Sequence, residues 1–361
     1  MKRTVLYDEH VKLGGKIVEF AGWELPVRYG SIITEHLATR NAAGLFDISH
    51  MGEFFLQGKG AVQLLQAVLP TRLNKIEPNK AMYSCLCNPQ GGVIDDLFVY
   101  MISPESFMLV VNAANIEKDF NWLKKYQNSD VEIFDKSDEM SKIDIQGPAS
   151  KDILGKVITD GTVEGLDRFS FQYTQYENSE LMVSNSGYTG EVGFELYVDN
   201  EKSAKLWQDL LEAGKDMGIE PAGLGARDSL RIESCYSLYG HELTDEITPI
   251  EAGLRWLISS KEPYIASDIL ATQKSEGAPR ELIAFELTEK GIPREGYRIE
   301  KDDTDIGYVT SGIYSPLLEK GIAMALVKTG SLAIGDPLSI VIRKKRVSGV
   351  VVKRPFYAYK A

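Results

Sequence analysis

The sequence predicts an α+β protein whose chain ends in a small all-β unit. Three observations lead there. Between residues 45 and 126, period-two and helix-spaced segments follow one another as strand, helix, strand, strand, helix, the order of an α+β layer and not of a doubly wound sheet. No GxGxxG or Walker-type loop is present, so nucleotide binding has no support. Past residue 278 only short β-like runs with glycine turns remain (282–287, 307–311, 322–327 and 338–352), the pattern of a barrel or sandwich. A chain of 361 residues exceeds one ordinary core. The expected division is 1–260 and 278–361, with a boundary over 261–277 where Ser, Lys, Glu and Pro accumulate.

Taken in order, Tyr7 to Val18 reads as a helix, followed by an irregular Phe20–Pro26 segment with an exposed Trp23. Ser31 to Ala43 has helical spacing at Ile33, Leu37 and Ala38 and is stopped by Gly44. Leu45 to Leu56 alternates as one strand, and Gly58 to Leu73 is amphipathic through Val62, Leu65 and Leu69. Strands follow at Ala81–Cys87 and Phe107–Asn112. Asn115 is placed to cap a helix whose face is Ile116, Phe120 and Leu123. A second α+β unit begins with the Lys142–Pro148 strand, and Asn200 is placed to cap a helix with Ala204, Trp207 and Leu211 inward.

The chemistry is expected on Asn88–Tyr100. Gly91-Gly92 forms a turn, because glycine takes positive φ without steric cost. In the strand after it, period two sends Asp95 and Asp96 to opposite faces, both otherwise apolar. A carboxylate among apolar walls must be hydrogen-bonded, paired or met by a ligand. The competing reading puts both acids at the strand's solvated mouth, and on the strand alone that reading prevails.

Other candidates are likewise two-sided. His50 is either a core histidine or part of a site. The glycines around Tyr188 and Thr189, ahead of a strand bearing Glu195, either admit a flat ligand or make an ordinary hairpin. Arg227 and Arg231 share a face near a helix start, where they oppose the helix dipole. They await an anion or carbonyl, or else join a surface lattice with Asp228 and Glu233. Seven basic residues and no acid occupy the last 21 positions, including Arg343, Lys344, Lys345 and Arg346, as a docking patch or a solvated hairpin. The net charge of −12 argues against general nucleic-acid binding. Three cysteines without zinc or CxxC spacing suit a reducing cytoplasm and no structural metal. No apolar run is long enough for a membrane span, and the first residues lack a signal-peptide core.

Several ordered blocks together resemble one family. They are Phe20-Ala-Gly-Trp-Glu-Leu-Pro26, Phe46-Asp-Ile-Ser-His-Met-Gly52, Gly91-Gly-Val-Ile-Asp-Asp96 and Val111-Asn-Ala-Ala-Asn115, then Gln146-Gly-Pro148, Gly187-Tyr-Thr-Gly-Glu191 and Gly193-Phe-Glu195. Pro221-Ala-Gly-Leu-Gly-Ala-Arg-Asp228 and Thr310-Ser-Gly312 complete the set. Their order and reach, over nearly the whole chain, resemble the aminomethyltransferases, the T-proteins of the glycine cleavage system. Two departures stand out: Tyr264-Ile-Ala-Ser-Asp-Ile-Leu270 between the domains, which bears on domain packing, and Phe55, where a smaller residue would leave a wider channel.

The resemblance implies a three-domain cloverleaf fold, with two α+β units around tetrahydrofolate and a C-terminal β-barrel closing them. It implies transfer of the methylene group from an aminomethyl-lipoyl carrier, the H-protein, to tetrahydrofolate. The products are 5,10-methylenetetrahydrofolate, ammonia and the dihydrolipoyl carrier, and no metal is required. By the same resemblance Asp96 is the catalytic acid, and Met51, Tyr83, Asn112, Tyr188, Glu195, Arg227 and Tyr236 are folate contacts. Residue chemistry agrees. A carboxylate such as Glu195 can accept a pterin's amino and ring N–H groups, and aromatic walls suit its flat ring. Related oxidases carry a flavin domain, for which no fingerprint exists here, and the iron–sulfur relatives carry a Lys-Gly-Cys-Tyr block that is absent. A non-catalytic folate or carrier module is the alternative of a different class.

Overall fold

The computed structural model describes residues 1–73, 76–158, 163–259, 263–342 and 345–359. Two mixed layers carry the expected α+β pattern. A five-stranded antiparallel sheet runs in the order Lys80–Cys87, Val93–Ser103, Ser106–Val111, Gly52–Gln57, Glu132–Asp135. The Ala61–Val68 and Ile116–Tyr126 helices cover it, packing Leu64, Leu65, Val68 and Leu123 against Leu97, Val99 and Leu109. A six-stranded sheet runs Phe171–Tyr176, Ser179–Ser184, Gly193–Asp199, Met140–Gln146, Ala43–Asp47, Ile219–Pro221. Against it the Asn200–Gly214 helix buries Leu206, Trp207 and Leu210. Each such side chain contributes about 1.5–3 kcal/mol of apolar burial.

The chain crosses between the two sheets. Leu45 to Leu56, expected as one strand, is two: Ala43–Asp47 belongs to the six-stranded sheet and Gly52–Gln57 to the five-stranded one. The turn between them carries His50 and Met51 into the seam, which is why alternation alone misread it. Past residue 278 the described strands close a six-stranded barrel, as expected, with Phe285, Ile299, Val309 and Ile340 inside.

Local differences from the sequence reading have physical causes. The first helix ends at Lys12 because Gly14 takes a positive φ and a Cβ on Gly15 would meet the His10 carbonyl at 2.9 Å. Lys16–Phe20 and Trp23–Arg28 then form a hairpin through Ala21-Gly22, both at positive φ as this tight turn requires. Trp23 is consequently buried, not exposed. Asn115 and Asn200 do not cap with their side chains: Asn115 donates to Asp95, and Asn200 joins Ser141 and the Asp138 carbonyl. Residues 267–276 are a helix, Ser267–Glu276, and not a linker. Tyr264 and Leu270 of the divergent segment are buried beside Cys85, Cys87 and Val93.

Candidate active site

The Gly91-Gly92 turn forms as its residues dictate. Gly91 sits at φ +89°, and a Cβ on Gly92 would lie 1.8 Å from the Asp245 carbonyl. The strand it launches places Asp95 and Asp96 on opposite faces, but the solvated reading is overturned, because Asp95 is fully buried and Asp96 half-buried. Asp96 Oδ2 accepts from the Tyr83 hydroxyl at 2.8 Å, and Oδ1 accepts from Asn112 Nδ2 at 2.9 Å. The same amide donates to Asp95 Oδ1 at 2.9 Å. Burial and the neighbouring Asp95 push Asp96 up to about 7, despite the donors on it. An acid so poised changes charge near neutral pH.

A second polar group lies on two neighbouring strands. Asp144 and Glu195 are directly opposed in the ladder between Met140–Gln146 and Gly193–Asp199. Two facing acids need cations, and both have one: Lys142 Nζ is 3.3 Å from Glu195 Oε2, and Arg227 Nη1 is 3.1 Å from Asp144 Oδ2. Burial and Glu195 raise Asp144 to about 7 against the pull of Arg227. Burial also opposes ionisation of Glu195, but Lys142, Ser186 and Arg227 outweigh it and hold it below the usual range. Every described hydrogen bond to the Glu195 carboxylate, from Ser186 at 2.9 Å and from Tyr100 and Tyr197 at 3.3 Å, ends on Oε2. Oε1 is left to face another donor.

Aromatic side chains wall these groups. The Arg227 guanidinium lies 4.8 Å from the centre of the Tyr188 ring, and Tyr188 stacks on Tyr236 at 5.8 Å. Tyr236 owes its position to the end of the Leu224–Glu233 helix. Cys235 is left-handed at φ +53°, with Cys235 N donating to Ile232 O and Tyr236 N to Arg231 O, a Schellman turn made without glycine. Tyr83 stacks on Trp256 at 6.1 Å, and Met51 packs between Phe46 and Tyr100 with its sulfur 3.8 Å from Lys142 Nζ. Burial raises the Tyr188 hydroxyl and the Asp96 charge adds to the effect, so this ring stands by Arg227 on one side and within the field of Asp96 on the other. Trp256, Phe169, Arg168, Lys80 and Lys274 line an adjoining cavity of about 750 Å³.

The eight residues to which the family resemblance points fall in these two clusters. The expected close approach of a ligand to the glycine loop is not what its glycines serve: a Cβ on Gly187 or Gly193 would lie 2.2 Å from the Gln146 side chain. Arg231 is buried with Glu242 and Ser311 and faces no open space. Glu233, suggested for a surface lattice, is buried against Arg40 and His36. His50 is buried beside Phe20, and burial lowers it to about 4, so it is neutral. Phe55 packs with Met51 at the edge of the Tyr100 cluster. Among the described residues no group of three or more His, Cys, Asp or Glu could hold a metal, and no helix is long and apolar enough to cross a membrane. Lys142, Asp144, Tyr100 and Trp256 were missed. The signal for the first two was present: Lys142, Asp144 and Gln146 put three polar side chains on one face of a strand with apolar Ile143 and Ile145 on the other.

The architecture is that of the glycine cleavage T-protein fold. The solved structure of glycine cleavage system aminomethyltransferase T from Bartonella henselae superposes with a TM-score of 0.92 at 31% identity, covering 99% of this chain and 98% of that one. The family model for the GCVT N-terminal domain matches residues 6–262, and that for the glycine cleavage T-protein C-terminal barrel domain matches 280–358. Aminomethyltransferases from Thermoanaerobacter pseudethanolicus and Caldanaerobacter subterraneus are 46% and 47% identical to it, over 99% of this chain and 98% and 96% of theirs. The chain belongs to the aminomethyltransferase, or glycine cleavage T-protein, family.

Proposed function

We propose that this protein transfers the methylene group of an aminomethyl-lipoyl carrier, the H-protein of the glycine cleavage system, to tetrahydrofolate, releasing ammonia. The observation that carries the reading is Asp96, a half-buried acid held by Tyr83 and Asn112 and raised to about 7. Tetrahydrofolate supplies the amine that receives the carbon. Asp96, ionised, stabilises the positive charge that develops as ammonia leaves, and it holds the accepting amine in line. Glu195 Oε1 accepts from the pterin amino edge, Arg227 meets the pterin carbonyl with the nitrogens that Asp144 leaves open, and Tyr83, Tyr188, Tyr236 and Met51 flank the ring. Arg168 and Lys274 have no carboxylate partner among the described residues, which suits the cavity beside Trp256 to the folate's glutamate carboxylates. Residues 1–260 would then bind folate while 278–361 close the site. The free thiols of Cys85 and Cys87, 3.7 Å apart, fit a reducing cytoplasm.

The test is release of ammonia from the aminomethylated carrier, with and without tetrahydrofolate. Folate-dependent release is expected; folate binding without release would favour a non-catalytic module. Glu195→Ala is expected to weaken tetrahydrofolate binding by about 10–100-fold, the effect of losing a charged hydrogen-bond acceptor, as read by calorimetry. An unchanged dissociation constant would refute the pterin-anchor role. Carrier docking is assigned to the basic C-terminal hairpin. Arg343 and Lys344 lie outside the described residues, and Arg346 pairs with Glu300 at 2.8 Å. Neutralising Arg343 to Arg346 together is expected to lower carrier affinity and flatten its salt dependence. If affinity and salt slope both stay put, the hairpin is not the docking surface.

A further inference from the structure

Behind Asp96 lies an acid that the proposed chemistry does not use. Asp119 sits on the inward face of the Ile116–Tyr126 helix and is fully buried, and neither of its oxygens meets an N–H or O–H donor among the described residues. Its carboxyl faces that of Asp95, which is also fully buried. Asp95 is well supplied by contrast: Asn112 N donates at 3.0 Å, Asn112 Nδ2 at 2.9 Å and Asn115 Nδ2 at 2.6 Å. Two touching carboxyls in a buried site do not both ionise. The negative charge belongs on the one with three donors and the proton on the one with none. That proton then supplies a fourth donor to Asp95.

The consequence reaches Asp96 because Asn112 serves both acids. Its single amide nitrogen donates at 2.9 Å to Asp95 Oδ1 and at 2.9 Å to Asp96 Oδ1. We propose that Asp119 is a positioning residue: a neutral buried carboxylic acid that hydrogen-bonds Asp95, fixes the negative charge there, and through Asn112 and that charge sets the orientation of Asp96 and the pH at which it ionises. The inference rests on the reading of Asp96 given above. The other ionisable groups around the trio leave this assignment in place. Tyr83 and Cys85 on the Lys80–Cys87 strand are protonated, the first raised by burial and the second by its contact with the Cys87 thiol and then by burial. Tyr188 is likewise raised and neutral. Lys118, on the same helix, turns outward to Tyr239 and Asp245. Burial raises both acids: Asp95 against the pull of its donors, and Asp119 well above the usual carboxylate range, with Asp95 adding to the effect and Lys118 opposing it.

Two variants separate a proton donor from a charged or merely space-filling group. Asp119→Leu removes the donor. Asp95, with three of its four donors left, then takes up a proton at a higher pH, its charge beside Asp96 is weakened, and the acid limb of the kcat profile moves down by up to about one pH unit. Asp119→Asn, which still donates, is expected to restore the limb to its wild-type position, with kcat within about 3-fold of wild type. Infrared difference spectroscopy of the full-length protein reads the proton without any turnover. At about pH 9, where Asp96 is ionised, wild type minus Asp119→Asn should show the carbonyl band of one protonated carboxylic acid. The inference is overturned if no such band appears, or if Asp119→Asn shifts the limb as Asp119→Leu does. If Asp119→Leu does not fold, the infrared band and the Asp119→Asn profile still decide. If the protein proves not to transfer aminomethyl groups, the band alone tests the Asp119–Asp95 pair.

Discussion

Asp96→Asn should bind tetrahydrofolate as tightly as the wild type and turn over about 10²–10³-fold more slowly, a loss of about 3–4 kcal/mol of transition-state stabilisation. The asparagine oxygen can still accept from Asn112 Nδ2, and its amide can donate to the Tyr83 hydroxyl, which turns to accept, so the shape of the site survives while the negative charge does not. The same substitution should make the protein more stable at pH 8, and the sign follows from linkage. Asp96 ionises near 7 in the folded chain but near 4 in an unfolded one. Between about pH 4 and 7 the folded state holds a proton that the unfolded state has released, so stability from this group falls as pH rises. The deficit is fully present above about pH 7, and asparagine has none. Thermal unfolding should show the variant ahead at pH 8 and the gap closing towards pH 4. A variant with full turnover would remove Asp96 from the chemistry, and one with no stability gain would mean that its carboxylate is not held at a cost.

Arg231→Leu should lower stability by about 3–5 kcal/mol, the expected cost of leaving a buried charge without its partner. Arg231 is fully buried and fastens three parts of the chain. It donates to Asp228 at 2.8 Å within its own helix, to Glu242 at 3.0 Å in the following loop, and to Ser311 of the barrel at 2.9 Å. It also donates to the Tyr236 carbonyl at 3.0 Å, so its loss should loosen the aromatic wall as well as the barrel contact. Glu242 is fully buried and, without Arg231, keeps only the Leu238 N–H as a described donor. Removing both ions, as in Arg231→Leu with Glu242→Leu, should therefore be less damaging than the first change alone. Urea unfolding of the wild type and these two variants measures this. A single variant within about 1 kcal/mol of wild type would mean that the barrel is held to the helix by apolar packing alone.

How much of this was legible depends on whether a residue's neighbours lie close in sequence. The strand period correctly split Asp95 from Asp96, and glycine turns marked the barrel, because both signals are local. The burial of Asp96 was not local: it depends on Tyr83, thirteen residues earlier, and on Asn112, sixteen later, and only the family resemblance pointed to it. Leu45 to Leu56 alternates continuously, yet the pattern carries no sign of the crossing between sheets, since both halves bury the same residue types. Two signals were present and went unread. Lys142, Asp144 and Gln146 mark a polar face within a buried strand. Asp119 falls at the i+3 position of the Ile116, Phe120, Leu123 stripe, where helical spacing already places an acid on the apolar face.

The most direct measurement of the central claim is the single-turnover rate of tetrahydrofolate-dependent ammonia release from the aminomethyl carrier, followed from about pH 5.5 to 9. With Asp96 acting as a carboxylate raised to about 7, the rate should climb through an acid limb near neutrality and level off above it. That limb should vanish in Asp96→Asn, leaving a low, flat rate. A wild-type rate independent of pH across this range, or the same limb persisting in Asp96→Asn, would contradict the assignment of Asp96 as the acting group.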